Sequence, residues 1–360
     1  MTRRLLLLNG LAILGIVLHH AAAYTLQAMF EWTDRYMPVS VPNYDQLGSP
    51  AYYLVMAIRL LAIWSVPAFL FISGYYVGFM TKGKDGPLKW NSMLPRIKVL
   101  LYPFVVWTAI RFILLRRFPT SLDEVLNPYF FIPLLIQFYL LAPWIARIAQ
   151  RNWKLLLAAA ALLHIISWGV RYLANIGVFI PGQDIFLALT PRWFFLTWQP
   201  FWFPFGIVFG IHFYNRGQQL ARLKRPLLAM VILLSFFILA EYFLLDRLNR
   251  EEWLGPVFSG LAAAPFSLTV ILCFLAFSDV TLPLSSQIAQ VGAKSLGIYL
   301  GNIPFVYVVA ALMYHLTPWL LGYHLIYLFI LIIAGLGGPL LLMELVRRSP
   351  ARAQYRILFG

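Results

Sequence analysis

Residues 3–26 read RRLLLLNGLAILGIVLHHAAAYTL: two arginines, then an apolar run interrupted chiefly by Asn9 and the pair His19–His20. At about 1.5 Å per residue in a helix, the run from Leu5 crosses a hydrocarbon core of about 30 Å. It is continuous rather than alternating, so a helix is expected and a membrane β-barrel strand is not. The basic start followed by leucines also looks like a secretory signal. No small-x-small cleavage site stands near a polar flank, Ala21-Ala22-Ala23 being the nearest, so we read the run as a retained first span.

Outward from this stretch the pattern repeats. The chain has 360 residues, 61% hydrophobic and 11% charged, against about 25% charged in an ordinary soluble domain. About ten spans are expected, near 5–26, 53–81, 97–115, 129–146, 154–173, 193–214, 226–245, 256–278, 295–314 and 323–345. The second is long enough to bend and contains Pro67. The sixth contains Pro200 and Pro204 and should be kinked or broken.

The net charge of +15 does not point to nucleic acid, because Lys and Arg sit in short clusters between apolar runs. Nineteen fall on the N-terminus, 82–98, 147–154, 215–225, 279–294 and 346–360, and eight on the opposite set of loops, with Arg59 inside the second span. All seven lysines are in the first set. The fold expected is all-α: a polytopic membrane protein with both termini cytoplasmic, in a bacterial inner or plasma membrane. Residues 1–346 form the transmembrane domain and 347–360 a basic cytoplasmic tail. The single cysteine, Cys273, lies in an apolar run and excludes an internal disulfide; no Cys/His spacing suits a metal.

Ionisable groups at membrane depth are costly and mark function. His20 lies about 22 Å from Leu5, in the outer third of the bilayer. A neutral imidazole there suits general-base chemistry on a hydroxyl. Adjacent helical positions point about 100° apart, so His19 and His20 cannot both face one cavity squarely. Arg59 and Arg111 must pair or face a polar cavity, and Glu241 is their acidic counterpart in type. His164 is expected to be a satisfied core residue. Trp193, Trp198 and Trp202 form an outer aromatic cluster suited to sugar stacking. No nucleophile elbow, Walker loop or zinc-protease motif occurs.

Several stretches together resemble the acyltransferase-3 family of integral membrane O-acyltransferases. Its first span carries a basic residue, ten residues and then histidine; the frame places these at Asn9 and His20. Val66-Pro67-Ala68-Phe69-Leu70-Phe71-Ile72-Ser73-Gly74-Tyr75 is similar to the family's run ending Phe-x-x-Ser-Gly-aromatic. Pro95-Arg96-Ile97-Lys98 leading to Tyr102-Pro103 is similar to its basic pair before a proline. Gln137-Phe138-Tyr139, Phe203-Pro204-Phe205-Gly206 and Ser295-Leu296-Gly297-Ile298-Tyr299-Leu300 are weaker echoes. Three positions depart: Asn9 for the basic residue, Val99 for the second basic residue with Lys98 beside it, and Asn302 where many relatives have histidine.

The resemblance implies transfer of an acyl group, usually acetyl, from cytoplasmic acyl-CoA to a hydroxyl of a glycan or other cell-envelope acceptor. His20 would be the general base, with Ser73 as a neighbouring catalytic group. Asn9, Arg96 and Lys98 would serve the acetyl-CoA donor. Arg59, Arg111, Glu241, Asn302 and Trp202 would serve the acceptor. No permanently bound cofactor, metal or nucleic acid is implied; the partners are acyl-CoA, a glycan or lipid-linked sugar, and membrane lipids. Two rival readings are a flippase for a lipid-linked glycan, against which no inverted repeat is visible, and a catalytically degenerate family member.

Overall fold

The computed structural model describes residues 2–29, 48–81, 88–213, 217–248 and 260–360. Lys82, Lys84 and most of the outer segment 27–52 lie outside them. Among the described residues every regular element is helical. The order is α1 (Thr2–Gln27), α2 (Pro50–Leu61), α3 (Ser65–Thr81), α4 (Leu94–Leu115), α5 (Leu122–Leu126), α6 (Phe131–Asn175), α7 (Gln183–Leu189), α8 (Trp202–Val208) and α9 (Gly217–Ala221). There follow α10 (Lys224–Leu248), α11 (Ala263–Ala276), α12 (Ser285–Ala293), α13 (Ser295–Leu316), α14 (His324–Arg348) and α15 (Tyr355–Phe359). In hydrocarbon only structures that satisfy their own backbone persist, which is why apolar runs become helices.

Six helices among the described residues are long and apolar enough to cross a membrane: Arg4–Gln27, Pro50–Thr81, Phe131–Ala174, Lys224–Leu245, Ser295–Leu316 and His324–Arg348. This count does not confirm the expectation of about ten, and each difference has a local cause. The α4 helix carries Arg96, Lys98 and Arg111. The expected sixth span is helical only over Trp202–Phe213; its first part is an irregular segment in which Gln199 has φ +65° just before Pro200. The eighth is shortened to Ala263–Ala276.

The fourth and fifth expected spans run together in the 45 residues of α6. Asn152 breaks that helix at φ −148°, ψ 74°. Its side-chain oxygen accepts from the Leu155 N–H at 3.1 Å, as a helix-capping asparagine does. Each half is about one span long. The bend expected in the second span is the turn at 62–64 between α2 and α3. Pro67 falls in the first turn of α3, where its missing N–H leaves no helical bond unmade.

The first helix is central. It packs on α2, α3, α12, α13 and α14, and Leu5, Leu8, Ile13, Ala21 and Leu26 on it are fully buried. By contrast α10 turns Ile232, Phe236 and Phe237 outward, the orientation of a lipid-facing helix. The tightest crossing is α3 on α8. A Cβ on Gly74 or Gly78 would collide with the carbonyls of Phe203 or Ile207, and one on Gly206 would strike the Phe71 carbonyl. This is backbone-on-backbone packing through small residues four apart. Gly74 of the α3 motif therefore sits in a packing seam.

One end of the bundle collects the charges assigned above to a single side. Arg4 donates to the carbonyls of Phe274, Phe277 and Val280 at 3.0, 2.6 and 2.9 Å. Lys224 pairs with Asp279 at 2.5 Å and holds that carboxyl below the usual carboxylate range. The segment 347–360, expected as a tail, folds back on α4. Phe359 is buried, and Trp107 Nε1 donates to the Leu358 carbonyl at 2.8 Å.

Candidate active site

The centre of the site is a chain of two hydrogen bonds linking three helices. His20 Nδ1 on α1 lies 2.7 Å from Asn302 Oδ1 on α13. Asn302 Nδ2 donates to the Gly335 carbonyl on α14 at 3.1 Å. A carbonyl only accepts, so the Gly335 contact fixes which way the amide faces. Asn302 must then present its oxygen to His20, and an oxygen requires a proton on Nδ1. The imidazole is held as the Nδ1–H tautomer, with Nε2 bare. Asn302 is completely buried, while His20 keeps some accessible surface. An oriented imidazole with an unprotonated nitrogen is the arrangement a general base needs.

Why these helices meet here is local. The α1 helix has no dominant polar face and is enclosed by α2, α3, α12, α13 and α14. Gly335 allows the contact: a Cβ there would lie 2.5 Å from Asn302 Nδ2 and 2.9 Å from Val306 Cγ2. Sequence reading singled out neither Gly335 nor the Asn302–His20 pairing. The echo Tyr299-Leu300 before Asn302 was the available signal, and nothing marks one glycine among the 23.

His19 turns the other way. Its Nδ1 lies 3.1 Å from the Arg59 carbonyl, and its ring meets that of His20 edge-on at 5.7 Å. The Arg59 guanidinium is within electrostatic reach of both rings, and its Nε is buried with no hydrogen-bond partner among the described residues.

Ser73 is not brought to this centre. His19 against Arg59 and Gly15 against Ser65 set α1 antiparallel to the α2–α3 pair. Ser73 then lies about thirteen residues, or about 20 Å, along the pair from the level of His20. Asn9 is about 16 Å along α1 from His20. Its Nδ2 donates to the Gly292 carbonyl at 2.6 Å and Ser295 Oγ at 2.8 Å, tying α1 to the α12–α13 junction.

The remaining candidates are dispersed. Arg96 Nη2 contacts Met80 Sδ at 3.3 Å, and Lys98 is exposed at the start of α4. Arg111 donates to the Glu124 carbonyl at 3.0 Å. Glu241, matched by type to the membrane arginines, accepts from the Leu261 and Ala262 N–H groups at 2.6 and 3.1 Å and caps the start of α11. Trp202 is buried with its ring edge-on to His164 at 6.0 Å. These two line a small void with Gln199, Trp168 and Ser267. His164 is a core residue as expected, but neither of its ring nitrogens has a partner among the described residues. None of those residues groups three potential metal ligands.

Long apolar helices packed around the buried His20–Asn302–Gly335 chain are the architecture of a multi-pass membrane protein. The family comparison makes the class specific. A model of the acyltransferase domain matches residues 5–343, nearly the whole chain. The chain belongs to the acyltransferase-3 family. No curated protein and no solved structure matches it.

Proposed function

We propose that this membrane acyltransferase moves an acyl group, acetyl in the first instance, from cytoplasmic acyl-CoA to a hydroxyl of a cell-envelope glycan or similar acceptor. His20 is the general base. The observation that carries this reading is the His20–Asn302–Gly335 chain, which leaves Nε2 unprotonated and oriented. The hydroxyl gives its proton to Nε2 while its oxygen attacks the thioester carbonyl. As the C–S bond breaks and the ester forms, the proton passes on to the departing thiolate.

Both termini face the cytoplasm in this reading, and the donor approaches from that side. Exposed Lys89 and Lys98, with Arg96, supply positive charge there for its phosphates. Asn9 acts in this reading by holding α1 against α12 and α13. Asn302 accepts from the imidazole, a task an amide oxygen performs without charge.

The test is ester formation by purified protein in nanodiscs, together with mass spectrometry of envelope glycans from cells with and without it. His20→Ala should lower transfer by about 10²–10⁴-fold while remaining folded and inserted. His19→Ala should cost far less. Wild-type transfer by folded His20→Ala would remove the imidazole from the mechanism.

A further inference from the structure

We propose that a groove walled by α6, α8, α9 and α11 binds one anionic phospholipid of the surrounding leaflet, with an acyl chain laid along its phenylalanines and the phosphate held by Lys154 and Arg222. The site does not depend on the acyl-transfer reading.

The groove follows from residue spacing. Phe201, Phe205, Phe209 and Phe213 recur every four positions, so their rings fall on one side of α8 and the turn after it. Successive ring centroids are 5.3, 6.1 and 5.9 Å apart. The last turn, Phe209–Phe213, is π-helical, a local widening that recurs at functional sites. Trp153 of α6 meets Phe213 edge-on at 5.5 Å, and Leu268 and Leu272 of α11 complete the wall. Apart from Gln219, the described lining is aliphatic or aromatic. The space is about 370 Å³, within the range of about 300–1,000 Å³ usual for small-ligand sites. From Phe201 to Phe213 it runs about 18 Å, comparable to the depth of one leaflet, about 15 Å.

Charge gathers at one end of this groove. Lys154 Nζ lies 5.8 Å from the ring centroid of Trp153. Arg222 stands between Leu220 and Leu223, both of which line the groove. Both cations are exposed, and neither belongs to an ion pair among the described residues. Lys224, by contrast, is held by Asp279. The positive-inside bias accounts for cations in 147–154 and 215–225, but not for an apolar hollow that begins at the same place. An aliphatic chain joined to an anionic head matches both features. Its methylenes are buried against the rings, and its phosphate accepts from the ammonium and guanidinium groups. A zwitterionic head carries its own cation beside the phosphate and gains less from this end of the groove.

The experiment uses the delipidated full chain in a non-ionic detergent. Equilibrium binding of radiolabelled dioleoylphosphatidylglycerol is compared with that of dioleoylphosphatidylcholine. The site is mapped with phosphatidylglycerol carrying a diazirine in one acyl chain, by mass spectrometry of the labelled peptides. Phosphatidylglycerol should bind about tenfold more tightly. High salt, and the double variant Lys154→Gln with Arg222→Gln, should each reduce that preference to within about twofold. Crosslinks should concentrate on 153–157 and 268–272 rather than on the outward face of α10. Leu272→Trp, which adds bulk inside the groove, should weaken binding about tenfold. Lys154 and Arg222 are exposed, so their variant keeps the test valid if Leu272→Trp misfolds. Equal binding of the two lipids, an undiminished preference in the double variant, or crosslinks spread evenly over α10 would overturn the site. Displacement of the label from these peptides by lower concentrations of palmitoyl-CoA than of phosphatidylglycerol would give the groove to a donor's chain and overturn the phospholipid proposal.

Discussion

In the proposed mechanism His20 serves as a base only while its Nδ1–H donates to Asn302 Oδ1, and Asn302 presents that oxygen only while its own amide N–H reaches the Gly335 carbonyl. Two substitutions on different helices should therefore share one phenotype. Asn302→Leu removes the acceptor; Gly335→Ala pushes a methyl into the amide, 2.5 Å from its nitrogen. Each should lower kcat by about 100-fold and leave the KM for acyl-CoA within about threefold, since neither belongs to the cationic residues proposed to hold the donor. A large rise in KM with kcat intact would show that Asn302 acts on binding rather than on the base. The family resemblance made Asn302 a candidate for substrate contact. Its actual partner is legible only when α1, α13 and α14 are seen together, because 282 residues separate it from His20.

At the scale of elements, the α3–α8 crossing decides where the rest of α3 can lie. Gly74, Gly78, Gly206 and Gly210 let the two backbones touch. Gly206→Leu adds four carbons where even one meets the Phe71 carbonyl, so the helices must separate. We expect a loss of about 1–3 kcal/mol or more, read as a lower midpoint in thermal unfolding in detergent. Gly169, where an added Cβ meets nothing within 4 Å, is the control; Gly169→Ala should leave the midpoint unchanged. Equal midpoints for wild type and Gly206→Leu would mean that the crossing is not under packing constraint. The run Val66–Tyr75 was readable as a family motif, yet its chemistry was not. Ser73 was expected beside His20, and helix geometry puts it about 20 Å along the α2–α3 pair from that level, next to Gly74 at the contact with α8. The pairing of Glu241 with an arginine failed for a related reason. Opposite charge matches types, but capping two N–H groups at a helix start serves a carboxylate equally well.

For the whole molecule, the charge asymmetry sets an orientation that labelling can check. With Cys273 replaced by alanine, a cysteine at Arg352 should react with a membrane-impermeant maleimide only after permeabilisation. One at Trp319, in the turn after α13, should react in intact cells. Reaction at position 352 from outside would reverse the orientation and, with it, the route proposed for the donor. Both positions are exposed, so silence at both would not follow from burial.

The membrane class and the helical content followed from composition and hydropathy, while the choice of His20 over His19 came from the family resemblance. A helix in lipid satisfies its own backbone, so an apolar run of sufficient length declares its structure without reference to any neighbour. The tertiary structure decided what depends on the residues standing opposite: which nitrogen of His20 meets Asn302, and where the backbones of α3 and α8 touch. Contacts such as those from α1 to α13 and α14, and from α3 to α8, bring together residues far apart in the chain. A hydrogen bond of 2.7 Å between such residues leaves no periodic trace in either segment.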